Sequence, residues 1–392
     1  MALDRKSEAV VPSQNVTAIA GYGDWKIQVG AIALGLFVAG YVSFLSHPVH
    51  LFIPASLTIL PFLAPGRLYG KPDARVLSVI GLLFALVILS ALAGANPGVR
   101  SIGFALFSIT PLLLFALNPD AGMPRFLEIF AVAAAIAMIV WSWLLYAFFR
   151  GVLGPWGGWT PAGSSNLYGI LLTRLWPVLL CFSMQAEAGR ATAFRILAGL
   201  AFLCALLTFS RAAVICSFSA AFLLLVRGRH WWMLAFVLVL LLAASSQVHA
   251  WLAFSRLSDF EPTLGRFAIW QKTLEIAWDH ILLGVSPGGG AEALASLDVY
   301  HAHSNTLNML LESGAAAAVL FAVVQIWLGV IAVRLFVAGT GPAYLSGAIG
   351  AWLASGQVAT TVTNPAVTLT LALIVAAGRL ELEKRRVAGS RP

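Results

Sequence analysis

Continuous apolar runs broken by short polar joints dominate the pattern along the chain. They fall near residues 25–45, 51–65, 76–95, 101–117, 126–149, 167–184, 194–209, 212–226, 231–250, 313–333, 341–360 and 366–379. A helix needs about 20 apolar residues to cross a bilayer. Most of the runs approach that length, and the short one at 51–65 could be re-entrant. The runs are continuous rather than alternating, which argues against a transmembrane β-barrel. The pattern predicts an all-α polytopic membrane protein of about 12 transmembrane helices.

The longest polar interruption covers residues 251–304. It divides the chain into a polar tail (1–24), helices one to nine (25–250), the long loop, helices ten to twelve (305–380) and a second tail (381–392). Connections in helix bundles are usually short, so a loop this long is expected to carry function. The run from Trp25 to Leu45 is too long for the apolar region of a signal peptide, so it is expected to be a retained span.

Composition agrees with the pattern. The 392 residues are 60% hydrophobic and only 10% charged, and the mean hydropathy is +0.90. Soluble domains carry about 25% charged residues, and disordered chains are poor in hydrophobics. Both classes are excluded. Cys181, Cys204 and Cys216 all sit in apolar runs without paired spacing and read as buried small hydrophobes.

The net charge of +8 does not imply nucleic acid, because the basic residues are scattered over short loops. With twelve spans both tails share one side. If that side is the cytoplasm, 17 of the 24 basic residues fall inside, six fall outside and Arg174 lies within a span. This is the positive-inside bias of a membrane protein.

The exceptions to that bias are the informative residues. Arg211 follows Ser210, a natural N-cap, and stands in the first turn of the eighth span. A cation there opposes the helix dipole by about 0.3–1 kcal/mol. A bound anion would remove the cost, since the helix end and the guanidinium would both attract it. The bland alternative is snorkelling to headgroup phosphates.

Arg266 opens a stretch in which Phe267, Trp270, Leu274 and Trp278 fall at helical spacing on one face. This predicts an amphipathic helix on the outer interface. Arg174 lies roughly 10 Å into the sixth span. A charge at that depth marks a pathway or site, or forms a buried pair, for which Glu312 is the candidate. Asn166, just before that span, could line the same cavity.

His301-Ala302-His303-Ser304-Asn305 closes the long loop. Alternating histidines suit a metal, but the third ligand would have to be guessed among Asp298 and Glu292, so no metal site is assigned. A histidine at the membrane surface suits a general base better. Gly284 to Gly290 resembles a phosphate loop only superficially and reads as a turn. Arginines and histidines thus gather on the outer side without a carboxylate dyad. Two guanidiniums suit a departing diphosphate, and a neutral histidine suits an alcohol nucleophile.

These residues give the chain a resemblance to the O-antigen ligase and polymerase family of bacterial membrane glycosyltransferases. Ser210-Arg211-Ala212 looks like the family's Ser-Arg-Gly/Ala start of a span. Gly265-Arg266 through Trp270, followed by Asp279-His280-Ile281-Leu282-Leu283-Gly284-Val285, is similar to its outer-loop stretch. His303-Ser304, nine residues and Gly314 fit the ligase pattern. The departures are Ala317 where Gly, Thr or Tyr is usual, Ile281 where proline is usual, His303-Ser304-Asn305 where the family usually shows His-Asn, and an outer loop short for a ligase.

The resemblance implies that Arg211 and Arg266 hold the diphosphate of an undecaprenyl diphosphate-linked glycan, and that His303 activates the acceptor hydroxyl. Trp270, Arg174, His301, Asn166 and Asn305 are further candidates for substrate contact. The implied reaction is metal-independent and inverting, needs no cofactor, and occurs on the periplasmic face of the inner membrane. The acceptor is a lipid A-core sugar for a ligase or a lipid-linked glycan for a polymerase. A transporter for an anionic solute is the rival from another class.

Overall fold

The computed structural model describes residues 24–44, 69–149, 165–207, 211–227, 261–297, 299, 301–358 and 364–389. The predicted runs at 51–65 and 231–250, and Ser210, lie outside them. Helices stand over the other ten runs. They are α1 (Asp24–Phe44), α2 (Ala74–Ala93), α3 (Val99–Ile109) running into a 3-10 turn (Thr110–Ala116), and α4 (Met123–Phe149). Then follow α5 (Ser165–Ser183), α6 (Ala188–Leu207) and α7 (Arg211–Arg227). The long loop contributes α8 (Glu261–Asp279), and α9 (Asn305–Ala338), α10 (Thr340–Val358) and α11 (Pro365–Gly389) close the fold.

Among the described residues, four helices are long and apolar enough to cross a membrane: α2, the Met123–Val140 part of α4, α6 and α9. The apolar stretches Ile27–Ala39, Ser101–Ala116, Tyr168–Ser183 and Ala212–Phe222 are shorter. On α9, Ile326, Val333 and Val337 are each more than 60% exposed. An apolar ridge of that kind belongs against acyl chains rather than water.

α5 and the first half of α11 run through the centre, with Leu171, Leu172, Leu175, Val178, Val367, Leu371 and Ile374 fully buried. α10 packs against α5, α7 and α9, and its buried Trp352 meets Phe321 edge-on at 6.4 Å. All three cysteines are buried free thiols, as their apolar settings predicted.

One end of the bundle is closed by a two-stranded antiparallel ribbon, β1 (Tyr69–Pro72) against β2 (Leu117–Pro119). Asp73 caps α2 there by accepting from the Arg75 amide at 3.0 Å. Arg379 donates to the Phe115 and Leu117 carbonyls at 2.9 and 3.2 Å. It also donates to Asn118 at 2.7 Å and lies 3.7 Å from Asp73. The loops that parity assigns to one side thus meet at one end.

At the opposite end α9 departs from the expected tenth span. The helix starts at Asn305, not 313, with Ser304 as N-cap. It then breaks at Gly314, whose φ is 80° and ψ 178°. The run from Asn305 to Ser313 is therefore a separate short helix, and its polar Asn305, Asn308 and Glu312 are packed inside the protein.

Candidate functional site

The break at Gly314 leaves backbone groups that a continuous helix would pair. The segment after α8 pairs them instead. The Val285 amide donates to the Leu311 carbonyl at 2.8 Å and Ser286 to Glu312 at 3.1 Å. The Ala315 amide donates back to the Ile281 carbonyl at 2.8 Å. The end of α2 joins, with the Ala95 and Asn96 amides donating to Gly284 and Val285 at 3.3 Å. The Ser90 hydroxyl sits between the Leu283 and Glu312 carbonyls at 2.5 and 2.8 Å. Three distant pieces of chain are locked backbone to backbone.

Two glycines make this approach possible. A Cβ at Gly284 would run into the Glu312 carbonyl group, and one at Gly314 into the Leu282 carbonyl. Both also have φ above 70°. The Gly284 to Gly290 turn has a further use. The Gly288 and Gly290 amides donate to the Glu312 carboxylate, so the turn cradles a carboxylate of this chain.

Beside this lock stand the two histidines. Their rings meet edge-on with centroids 4.3 Å apart. His303 has φ of 53°, a left-handed conformation uncommon outside glycine. The peptide of Ala302 between them is clamped on both sides. Its carbonyl accepts from Trp270 Nε1 at 3.0 Å, and its amide donates to Asn308 Oδ1 at 3.3 Å. Among the described residues, no third His, Cys, Asp or Glu joins the pair in a cluster able to hold a metal.

Trp270 lies one helical turn beyond Arg266 on α8, so the clamp ties the arginine to the histidines. Burial pushes the His303 imidazole down to about 4, helped by the neighbouring His301 and by the positive charge of Arg266. His301 is also lowered, chiefly by burial. Both rings are neutral at pH 7.

α8 itself corrects an expectation. Phe267, Trp270, Leu274 and Trp278 do not act as one face. The helix buries Ile269, Thr273 and Ala277 against the bundle and turns Trp270 inward. Phe267, Leu274 and Trp278 stay at least 50% exposed. The helix thus has three faces: one buried, one apolar and open, and one carrying Lys272 and Glu275, which pair at 3.2 Å.

The other predicted residues lie elsewhere. Arg211 is the first residue of α7, and the adjacent Ala212 packs against Ile170 of α5. Asn166 is the second residue of α5. Arg174 is fully buried but does not pair with Glu312. Its guanidinium donates to the Val367 carbonyl at 3.3 Å and to Ser355 Oγ at 3.2 Å, tying α5 to α10 and α11. Glu312 faces its glycine cradle instead. Asn305 is fully buried against Gly356, the neighbour of Ser355, where a Cβ would lie 2.5 Å from its Nδ2. Arg174 and Asn305 therefore reach the same point of α10.

The spacing of four between Asn308 and Glu312 is the sequence signal that places them on one face of a helix. Ser90 gave no sequence signal at all.

Residues 196–322 match a family model described as O-antigen ligase. That segment is similar to the O-antigen ligase family. No curated protein matches the chain. The matched segment runs from α6 past the break in α9. It contains Arg211, Arg266, Trp270, His301, His303 and Asn305, and leaves Asn166 and Arg174 outside. Within it, the outer-loop stretch and the His303-to-Gly314 spacing are the two halves of the backbone lock. The lock uses the Ile281 carbonyl, which a proline at that position would offer equally. Ala317, another departure from the pattern, is fully buried one turn below the break.

Proposed function

We propose that the protein is a membrane glycosyltransferase of the O-antigen ligase type. It moves a glycan from undecaprenyl diphosphate to a hydroxyl of a lipid A-core sugar on the periplasmic face. The observation that carries this reading is the clamp that holds neutral His303 beside Arg266 within the matched segment.

In this reading His303 takes the proton of the acceptor hydroxyl. The oxygen attacks the anomeric carbon, the bond from that carbon to the diphosphate oxygen breaks, and the configuration inverts. Undecaprenyl diphosphate leaves with its added negative charge held by Arg266 and Arg211, the latter at the positive end of α7. Trp270 fixes the spacing of base and cation. Asn305 and Arg174 shape the wall toward α10, and His301 and Asn166 contribute further polar contacts.

A base as weak as His303 in the empty site would be a poor proton acceptor. The donor corrects this. Burial chiefly holds the imidazole down, but a diphosphate on Arg266 cancels that residue's added share, so basicity rises as substrate arrives. The chemistry needs no resident cofactor.

Deleting the gene and analysing cell-surface glycans tests the reading. Full-length polymer accumulating on undecaprenyl diphosphate, with bare lipid A core, is the expected result. A core carrying single repeat units, or loss of a secreted polysaccharide, would make the protein a polymerase with the same chemistry. Normal glycans throughout would overturn glycosyl transfer.

A further inference from the structure

The His-Ala-His tripeptide owes its shape to groups outside the histidines. Its left-handed residue, His303, has no glycine to relieve it, and such a conformation persists only where the surroundings enforce it. Two side chains do so. Trp270 holds the Ala302 carbonyl and Asn308 the Ala302 amide. Trp270 has a single donor and cannot be misread. Asn308 can: rotated by half a turn, its amide would present Nδ2 to the Ala302 N–H, donor against donor.

Glu312 decides the rotation. It stands four residues on, one turn along the same short helix, and its carboxylate takes a hydrogen bond from the Asn308 side chain. In its ionised form the carboxylate only accepts, so it draws Nδ2 and leaves Oδ1 facing Ala302. Glu312 is itself pinned by the Gly288 and Gly290 amides. A Cβ at Gly290 would come within 2.8 Å of its Oε1. Asn308 is 2% exposed and Glu312 7%, so water does not compete for either.

We propose that Asn308 and Glu312 are positioning residues, which set the orientation of the Ala302 peptide and thereby hold His303 beside Arg266. The glycine turn fixes Glu312, Glu312 fixes the rotation of Asn308, and Asn308 fixes the tripeptide. None of these groups needs to touch substrate. The catalytic meaning of the device rests on His303 being the base, but its geometry does not.

The test is a proton titration of His303 by NMR in the full-length detergent-solubilised protein. Ring-labelled histidine is used, with His303→Gln to assign the signal. In the parent protein His303 should titrate near pH 4. In Asn308→Leu and in the near-isosteric Glu312→Gln, the tripeptide is released and His303 should move toward the ordinary value of about 6.5. A control of similar destabilisation, Phe321→Leu in the core of α9, should leave the titration in place.

The proposal is overturned if His303 keeps its low titration in both folded variants, or if Phe321→Leu shifts it equally. Should Asn308→Leu fail to fold, Glu312→Gln decides alone, because it keeps the shape of the side chain. If the titration shifts as expected while His303→Ala still transfers glycan, the positioning device stands and the reading of His303 as base falls.

Discussion

The two ends of the bundle treat their arginines differently. At the ribbon end each arginine with a described partner is tied to an acidic side chain of the protein. Arg125 and Arg190 share Glu128. Arg379 spans two carbonyls, Asn118 and Asp73. Arg385 holds Glu381 at 3.0 Å and the Ala338 carbonyl at 2.5 Å. At the opposite end the buried carboxylate, Glu312, is held by backbone amides and an asparagine. Arg266 there is set against a neutral, half-buried imidazole. One end uses charge to fasten loops. The other sets a cation beside an imidazole and uses its carboxylate to orient an asparagine.

The largest predicted effect breaks the comparison on its chemical side. His303→Ala should reduce glycan transfer by about 10²–10⁴-fold, measured with purified protein and a polyprenyl diphosphate-linked glycan, while its melting temperature stays near the parent's. Arg379→Ala should do the reverse. It removes charge-assisted hydrogen bonds from a half-buried site and should lower stability by about 1–3 kcal/mol in a detergent unfolding assay, with transfer per folded molecule unchanged. Transfer lost equally in both would erase the distinction between the ends.

Gly314→Ala falls between them. It forces a side chain into left-handed backbone and against the Leu282 carbonyl. A loss of about 1–3 kcal/mol is expected from the backbone alone, together with loss of the site. Retained stability and activity would show that the lock is dispensable.

The comparison also sharpens with pH. His303 binds its proton at about pH 4 in the fold and near 6.5 when unfolded. The folded state therefore binds fewer protons between those values. Its contribution to stability is complete above about 6.5 and is lost as pH falls toward 4. In kinetics, the acid limb of kcat/KM should lie well below 6.5. Arg266→Gln should move that limb upward, because a neighbouring positive charge is gone; an unmoved limb would separate the two residues. The smallest effect belongs to Arg125→Ala, an exposed pair, where stability should change by no more than about 0.5 kcal/mol.

What the sequence made legible follows from which forces are local. Apolar runs such as 76–95 and 126–149 became α2 and α4, because burial of backbone in lipid leaves helix as the available form. Arg211 was placed at a helix start by the residues around it alone. The pairing of His303 with Arg266 came from resemblance, and its geometric cause did not. The clamp depends on Trp270 turning inward, which helical periodicity assigned to an outer apolar face. It also depends on a carboxylate that looked like a partner for Arg174. Both mistakes have one origin. Hydrophobic spacing reports which residues avoid water, whereas a hydrogen bond between positions 270 and 302 is set by how two segments meet.

The lock at Gly314 carries a consequence for how the molecule is made. Ser90 reaches carbonyls 193 and 222 positions further along the chain. During synthesis the early helices enter the membrane long before residues 283 and 312 exist, and the Ser90 hydroxyl must wait for both. The paired histidines can take up their places only after that late closure. A nascent chain that stopped before α9 would already be inserted and largely helical, yet it would lack the lock. Assembly of the proposed site is thus withheld until the protein is nearly complete.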